Sequence, residues 1–186
     1  MRIFLSAELG DAVKDRLEKA VMDFERTGLP VKWVRRDNLH LTLKFIGEAD
    51  APVAEDIMGS LGRCTEGLKP FRITFGGLGT FPVNKPPRVI WIGIGNGAKE
   101  LSELAEKIEK GLPRSAAGIT GDKPFSPHLT VGRVKGSIEG NKLEELKTLA
   151  SGIDLGSGMV ESVALVKSVL KPEGPEYGII GKVLLK

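Results

Sequence analysis

The sequence predicts an α+β fold built from two mainly antiparallel sheets flanked by helices, and three observations carry that expectation. Four segments show apolar residues at helical spacing and about eight read as strands, interleaved without a strict one-to-one βα alternation. A short motif, Asn38-Leu39-His40-Leu41-Thr42-Leu43, returns as Ser126-Pro127-His128-Leu129-Thr130-Val131, so the chain reads as two related halves. The 186 residues, 41% hydrophobic and 27% charged, have the composition of a globular protein and the length of one domain, or of two lobes sharing a core.

The elements follow in order. Arg2 to Glu8 is a strand with Ile3, Phe4 and Leu5 apolar. Asp11 to Arg26 is a helix, because Val13, Leu17, Ala20, Val21 and Phe24 recur at three- and four-residue spacing and Gly28 and Pro30 end the pattern. Val31 to Val34 is a short strand, and Leu39 to Ile46 is the strand carrying the first motif. Asp50 caps a helix with Pro52 in its first turn and Val53, Ile57 and Leu61 on one face, ending near Gly62. Phe71 to Phe75 and Arg88 to Ile94 are strands, and the Gly- and Pro-rich stretch from Gly76 to Pro87 between them reads as a loop. Lys99 to Leu112 is a helix with Leu101, Leu104, Ala105, Ile108 and Leu112 inward. An open loop, Pro113 to Pro127, leads into the strand of the second motif. Asn141 to Ile153 is the last helix, and Met159 to Leu170 and Tyr177 to Leu185 are strands joined through Lys171–Pro175. A two-lobed body with a cleft between matching sheets would bring the two motifs together.

The chemistry concentrates in those motifs. The chain has two histidines, and both sit in His-Leu-Thr followed by an aliphatic residue. In a strand successive side chains face opposite ways, so His and Thr share one face while the aliphatics anchor the other in the core. Two imidazoles and two hydroxyls on rigid elements suit paired acid–base chemistry on a small anionic group. Lys44 shares parity with His40 and Thr42 and is expected to face with them. Arg133 has the wrong parity relative to His128 and reaches the same face only through a bulge or a strand end, which Gly132 is placed to allow.

Other chemistries find less support. A metal site needs further ligands, and no carboxylate stands at ligand-like spacing to either histidine, so no metal is expected. Gly93-Ile94-Gly95-Asn96-Gly97-Ala98 formally fits a dinucleotide fingerprint but lacks the second strand and its acidic end, so it reads as a strand-to-helix turn and no cofactor is expected. Cys64 is the one cysteine, which excludes an intrachain disulfide, and nothing marks it as a nucleophile. Trp33, Phe81 and Phe125 are candidates to stack on a base or to pack in the core. The net charge of +3 permits an anionic ligand without the basic excess of a protein that coats nucleic acid. No apolar run approaches membrane-spanning length and the apolar run at Met1–Leu5 is too short for a signal peptide, so a soluble cytoplasmic protein is expected; a monomer is expected as well.

With these residues assembled, the chain resembles the two-histidine (2H) phosphoesterase superfamily, and more closely the bacterial and archaeal RNA 2′,3′-cyclic phosphodiesterases, also called 2′-5′ RNA ligases. The resemblance spans nearly the whole chain: Arg2-Ile3-Phe4, Trp33-Val34, Asn38 through Gly47, Gly77 through Pro82, Pro87 through Trp91, Phe125 through Arg133, and Ser168 through Tyr177. It implies one bilobal domain over residues 1–186 with the motifs in a central groove, metal-free chemistry and an RNA or oligonucleotide partner ending in a 2′,3′-cyclic phosphate. Carried over by position, His40 and His128 are the catalytic pair, with His40 as acid and His128 as base, giving a 2′-phosphate. Thr42 and Thr130 bind phosphate oxygens and Arg133 contacts the phosphate. Two alternatives stay open: a non-catalytic module that binds RNA ends or nucleotides, and a 2H enzyme for another small cyclic nucleotide.

Overall fold

The computed structural model describes residues 1–116, 125–172 and 174–186. The middle of the expected 113–127 loop, residues 117–124, lies outside them, as does Glu173 in the connection before the last strand. The described elements run β1 (Arg2–Ala7), α1 (Asp11–Glu25), β2 (Val31–Trp33), β3 (Leu41–Glu48), α2 (Ala51–Cys64), β4 (Phe71–Phe81), β5 (Val89–Ile94), α3 (Ala98–Gly111), β6 (His128–Val134), α4 (Gly140–Ser151), β7 (Ser157–Val160), β8 (Ser162–Lys171) and β9 (Gly174–Leu184).

Two antiparallel sheets result. One is ordered β3-β1-β8-β9 and the other β2-β6-β5-β4-β7. Neither is built from one half of the sequence: β8 and β9 complete the sheet that holds β1 and β3, while β2 and β4 join the sheet that holds β5 and β6. The helices cross in the same way. α1 follows β1 yet packs on β2 and on α4, and α3 follows β5 yet packs on β3 and on α2. Each lobe therefore needs segments from both halves to bury its apolar faces.

Local sequence explains the elements. Leu17, Ala20, Val21 and Phe24 form the buried stripe of α1, and Leu101, Leu104, Ala105 and Ile108 that of α3. Asp50 caps α2, accepting the Val53 backbone N–H at 3.0 Å, with Pro52 in the first turn. Gly93–Ala98 is the expected turn into α3: Gly97 takes φ +82°, and a Cβ there would lie 2.3 Å from the Arg72 carbonyl oxygen.

Two expectations are corrected. The stretch from Gly76 to Phe81 is strand, the second half of β4 paired with β5. Its glycines mark contacts rather than a loop: the register slips between Gly76 and Leu78, where Gly77 has φ +69°, and the Trp91 indole lies where a Cβ on Gly79 would be, 2.1 Å from the ring. The apolar run from Met159 to Leu170 is two strands, because the chain changes sheets at Glu161. β7 pairs with β4, and β8 pairs with β1 and β9.

Candidate active site

The motif strands β3 and β6 come from different sheets and meet where the sheets adjoin. Their core side is as alternation requires: Leu41, Leu129 and Val131 are buried, and His40, Thr42, His128 and Thr130 are half-buried on the other side. His128 opens β6, whereas His40 stands one residue ahead of β3 rather than within it. A 3-10 turn, Arg36–Asn38, delivers it. Arg36 fastens that turn to α1 through Asp15 at 2.6 Å and Asp11 at 2.9 Å, and Asn38 donates its side-chain amide to the Pro175 carbonyl of β9 at 2.8 Å.

Both imidazoles are held by one device. His40 Nδ1 lies 2.7 Å from the Asn38 carbonyl oxygen, and His128 Nδ1 lies 2.7 Å from the Ser126 carbonyl oxygen. A carbonyl only accepts, so Nδ1–H is the donor in each ring and Nε2 is the nitrogen left to exchange a proton. Aromatic rings fix the planes. His40 sits between Phe4, 4.8 Å away, and the edge-on ring of Tyr177 at 5.1 Å. His128 meets Phe81 edge-on at 5.1 Å and Trp91 at 6.1 Å.

The two strands also share an irregularity. Ser6 pairs with Thr42 and Leu5 with Lys44, so Leu43 is an extra residue in β3. Trp91 pairs with Thr130 and Ile90 with Gly132, so Val131 is an extra residue in β6. Each bulge falls three residues after its histidine and reverses the alternation beyond it. In β6 this turns Arg133, opposite Val89, onto the face of Thr130 and His128, as its parity requires; the extra residue is Val131, and Gly132 follows it. In β3 the same bulge overturns the expectation for Lys44, which turns away and pairs with Glu109 of α3. Phe45 takes the position matching Arg133, stacked on Phe4 at 5.8 Å with the Arg2 guanidinium 5.1 Å over its ring.

Burial lowers the His40 pKa below its ordinary value. The Asn38 carbonyl and the Glu8 carboxylate oppose that shift, while Lys14 and Arg133 add to it. Burial raises the Tyr177 hydroxyl, and Arg133 and Arg2 oppose it. Arg133, from the other sheet, is thus near enough for its charge to bear on both His40 and Tyr177. A hollow of about 130 Å³ adjoins His40, lined among others by Ser6, Glu8, Lys14 and Tyr177. Among the described residues no three His, Cys, Asp or Glu side chains gather as a metal-ligand set, and no helix is long and apolar enough to cross a membrane. Cys64 is buried at the end of α2, and burial pushes its thiol up, away from nucleophilic character. Of the stacking candidates, Phe81 touches a motif histidine, Trp33 packs on Phe24, and Phe125 packs against the core.

Sequence reasoning gave no role to Phe4, Ser6, Glu8, Trp91 or Tyr177. The signal for three of them was present, since even positions of β1 share a face and place Phe4, Ser6 and Glu8 beside the first motif.

The sequence profile described as LigT-like phosphoesterase matches the chain twice, over residues 8–91 and 92–177. The chain is 37% identical over 169 residues to an RNA 2′,3′-cyclic phosphodiesterase of Aeropyrum pernix, covering 90% of this chain and 94% of the relative. It is 33% identical to an enzyme of the same name from Aquifex aeolicus, over 98% of this chain and 94% of that one. The crystal structure of TT0787 from Thermus thermophilus superposes with a TM-score of 0.82 at 32% identity, covering 100% of this chain and 98% of that chain.

Proposed function

The chain belongs to the LigT-like phosphoesterase family, and from that premise we propose that it hydrolyses the 2′,3′-cyclic phosphate end of RNA to a 2′-phosphomonoester with two histidines and no metal. The observation that carries the reading is the shared seating of the imidazoles: each Nδ1 is committed to the carbonyl two residues earlier, which leaves each Nε2 as the nitrogen to exchange a proton. The names of the relatives, RNA 2′,3′-cyclic phosphodiesterase, point to the same reaction.

The cyclic phosphate is a strained diester with one negative charge. His128 takes a proton from water as its oxygen attacks phosphorus. The bond from phosphorus to O3′ breaks, and His40 delivers a proton to the departing O3′, leaving a 2′-phosphate and a 3′-hydroxyl. Thr42, Thr130 and Arg133 bind the non-bridging oxygens, where fixed donors stabilise the charge that develops. A 5′-hydroxyl entering in place of water joins two RNA ends by a 2′-5′ linkage through the same transfers. The donor role asks His40 to carry a proton although burial works against it. The incoming phosphate supplies a negative charge that offsets this. In this scheme the protein acts as a cytoplasmic monomer.

The test is incubation in EDTA with an oligonucleotide ending in a 2′,3′-cyclic phosphate, beside 2′,3′-cyclic mononucleotides. Conversion of the oligonucleotide to a 2′-phosphate end in chelator is expected. Binding without turnover would make the protein an RNA-end module. Turnover of the mononucleotides alone would move it to another cyclic substrate. Loss of activity in EDTA with recovery on added zinc or magnesium would overturn the metal-free reading.

A further inference from the structure

The halves agree so closely around their histidines that the place where they differ is informative. Aligned on the bulges, Ser6 opposite Thr42 corresponds to Trp91 opposite Thr130. One step along, Ala7 pairs with Leu41 and Ile92 with Leu129. The next residue of β5, opposite His128, is Gly93. The matching residue after β1 is Glu8, where the strand still bonds to its other neighbour: the Glu8 N–H donates to the Ser162 carbonyl at 3.2 Å. A side chain cannot stand at Gly93, because its Cβ would lie 2.7 Å from the Gly76 carbonyl oxygen. The register position next along from the His40 motif is therefore a carboxylate, and the matching one opposite His128 a glycine.

The carboxylate is held rather than loose. Ser6, fully buried, donates its hydroxyl to Glu8 Oε1 at 2.9 Å, and Ser6, Glu8 and His40 line one hollow. Each element packed around His40 presents its own group: Lys14 from α1, Asp37 and the Asn38 carbonyl from the 3-10 turn, Tyr177 from β9 and Arg133 from β6. Asp37 is paired with Arg36 at 3.3 Å. Lys14 and Arg133 disfavour a protonated imidazole, as burial does, and Glu8 is the side chain that opposes them.

We propose that Glu8, held by Ser6, is a positioning residue that keeps the transferable proton on His40, and that the glycine in its place leaves His128 as the acceptor. The proposal deepens the reaction described above and rests on it. Two histidines in the chain give two imidazole titrations by NMR, assigned with His128→Asn. Glu8→Gln keeps an oxygen for the Ser6 hydroxyl and removes the charge. The His40 midpoint is expected to move to lower pH while that of His128 stays, and the alkaline limb of kcat/KM on the cyclic-phosphate oligonucleotide moves with it. A displacement of half a unit to one unit would lower the rate at pH 8 by about three- to tenfold. Ser6→Ala, which frees the carboxylate without removing it, is expected to give a smaller displacement of the same sign and carries the test should Glu8→Gln fold poorly. An unmoved His40 midpoint, an equal movement of His128, or a moved midpoint that the alkaline limb ignores would each overturn the proposal. Absence of turnover by the unmodified protein at every pH would instead overturn the reaction, and the resonance titrations would still decide the coupling.

Discussion

Replacing each histidine by asparagine separates a chemical role from a structural one. The amide of asparagine can still donate to the carbonyl two residues earlier, at Asn38 or at Ser126, so the local bond that seats each ring is retained. What disappears is Nε2 and the ring contact with two aromatic neighbours. One proton transfer contributes about 10²–10⁴ in rate, which corresponds to about 2.7–5.4 kcal/mol of barrier. Aromatic pairs contribute about 0.5–1.5 kcal/mol each. Losing both at His40, the more deeply set of the two, should cost about 1–3 kcal/mol, or roughly 2–12 °C of melting temperature in a chain of this size. His128 should lose less. Single-turnover assays on the cyclic-phosphate oligonucleotide, with thermal unfolding of the same samples, read both quantities. The double variant should lose less than the product of the single losses, because both groups act on one transition state. Near-normal turnover combined with a large fall in melting temperature would refute the reasoning and make the histidines packing residues.

Three further outcomes follow from the geometry. Arg133→Ala is expected to raise KM for the cyclic-phosphate end with the melting temperature unchanged, since the side chain is exposed on the groove face; unaltered binding and turnover would return Arg133 to the ordinary surface. Lys44→Ala is expected to do the reverse, leaving kinetics intact while the lost pair with Glu109 costs about 1–3 kcal/mol, between the values for exposed and buried ion pairs. Because burial lowers the His40 pKa, the unfolded chain binds its proton first as pH falls through the ordinary value of 6.5. The associated stability is full above that value and is lost below it, so chemical denaturation at pH 8 and pH 5.5 should show a smaller difference in His40→Asn than in the unmodified protein.

Much of the site was legible because it is written twice. Two copies of His-Leu-Thr with an aliphatic residue foretold the alternation of buried Leu41, Leu129 and Val131 with half-buried His and Thr, and the parity of Arg133 required a bulge that β6 has. The same bulge in β3 was not legible, because Leu43 carries no glycine beside it to mark an irregularity, and so Lys44 was placed on the wrong face. Glycine misled once: Gly76, Gly77 and Gly79 suggested a loop, although Gly79 is small because the Trp91 indole lies against it. The exchange of strands between sheets at Glu161 has no local signature, since Met159 to Leu170 keeps strand character throughout. Long-range pairing, not propensity, decides such a crossing. The anchor from Asn38 to Pro175 spans most of the chain and was equally out of reach.

A repeated fold gives two equivalent imidazoles, yet opening a cyclic phosphate needs two inequivalent ones, a donor on one side of phosphorus and an acceptor on the other. The backbone device cannot supply the difference, because both rings bond the carbonyl two residues back at 2.7 Å. Nor can the bulges, which fall at the same step after each histidine. Asymmetry enters through side chains laid on the symmetric frame. Arg133 stands in one sheet where Phe45 stands in the other, which in the proposed scheme biases the anion toward the His128 strand. Glu8 stands where the second sheet has Gly93, and in the proposed scheme its charge opposes the loss of the His40 proton that burial favours. In the proposed reaction the anion is thereby drawn to one strand and the proton to the other, a direction that the repeated motifs alone do not have.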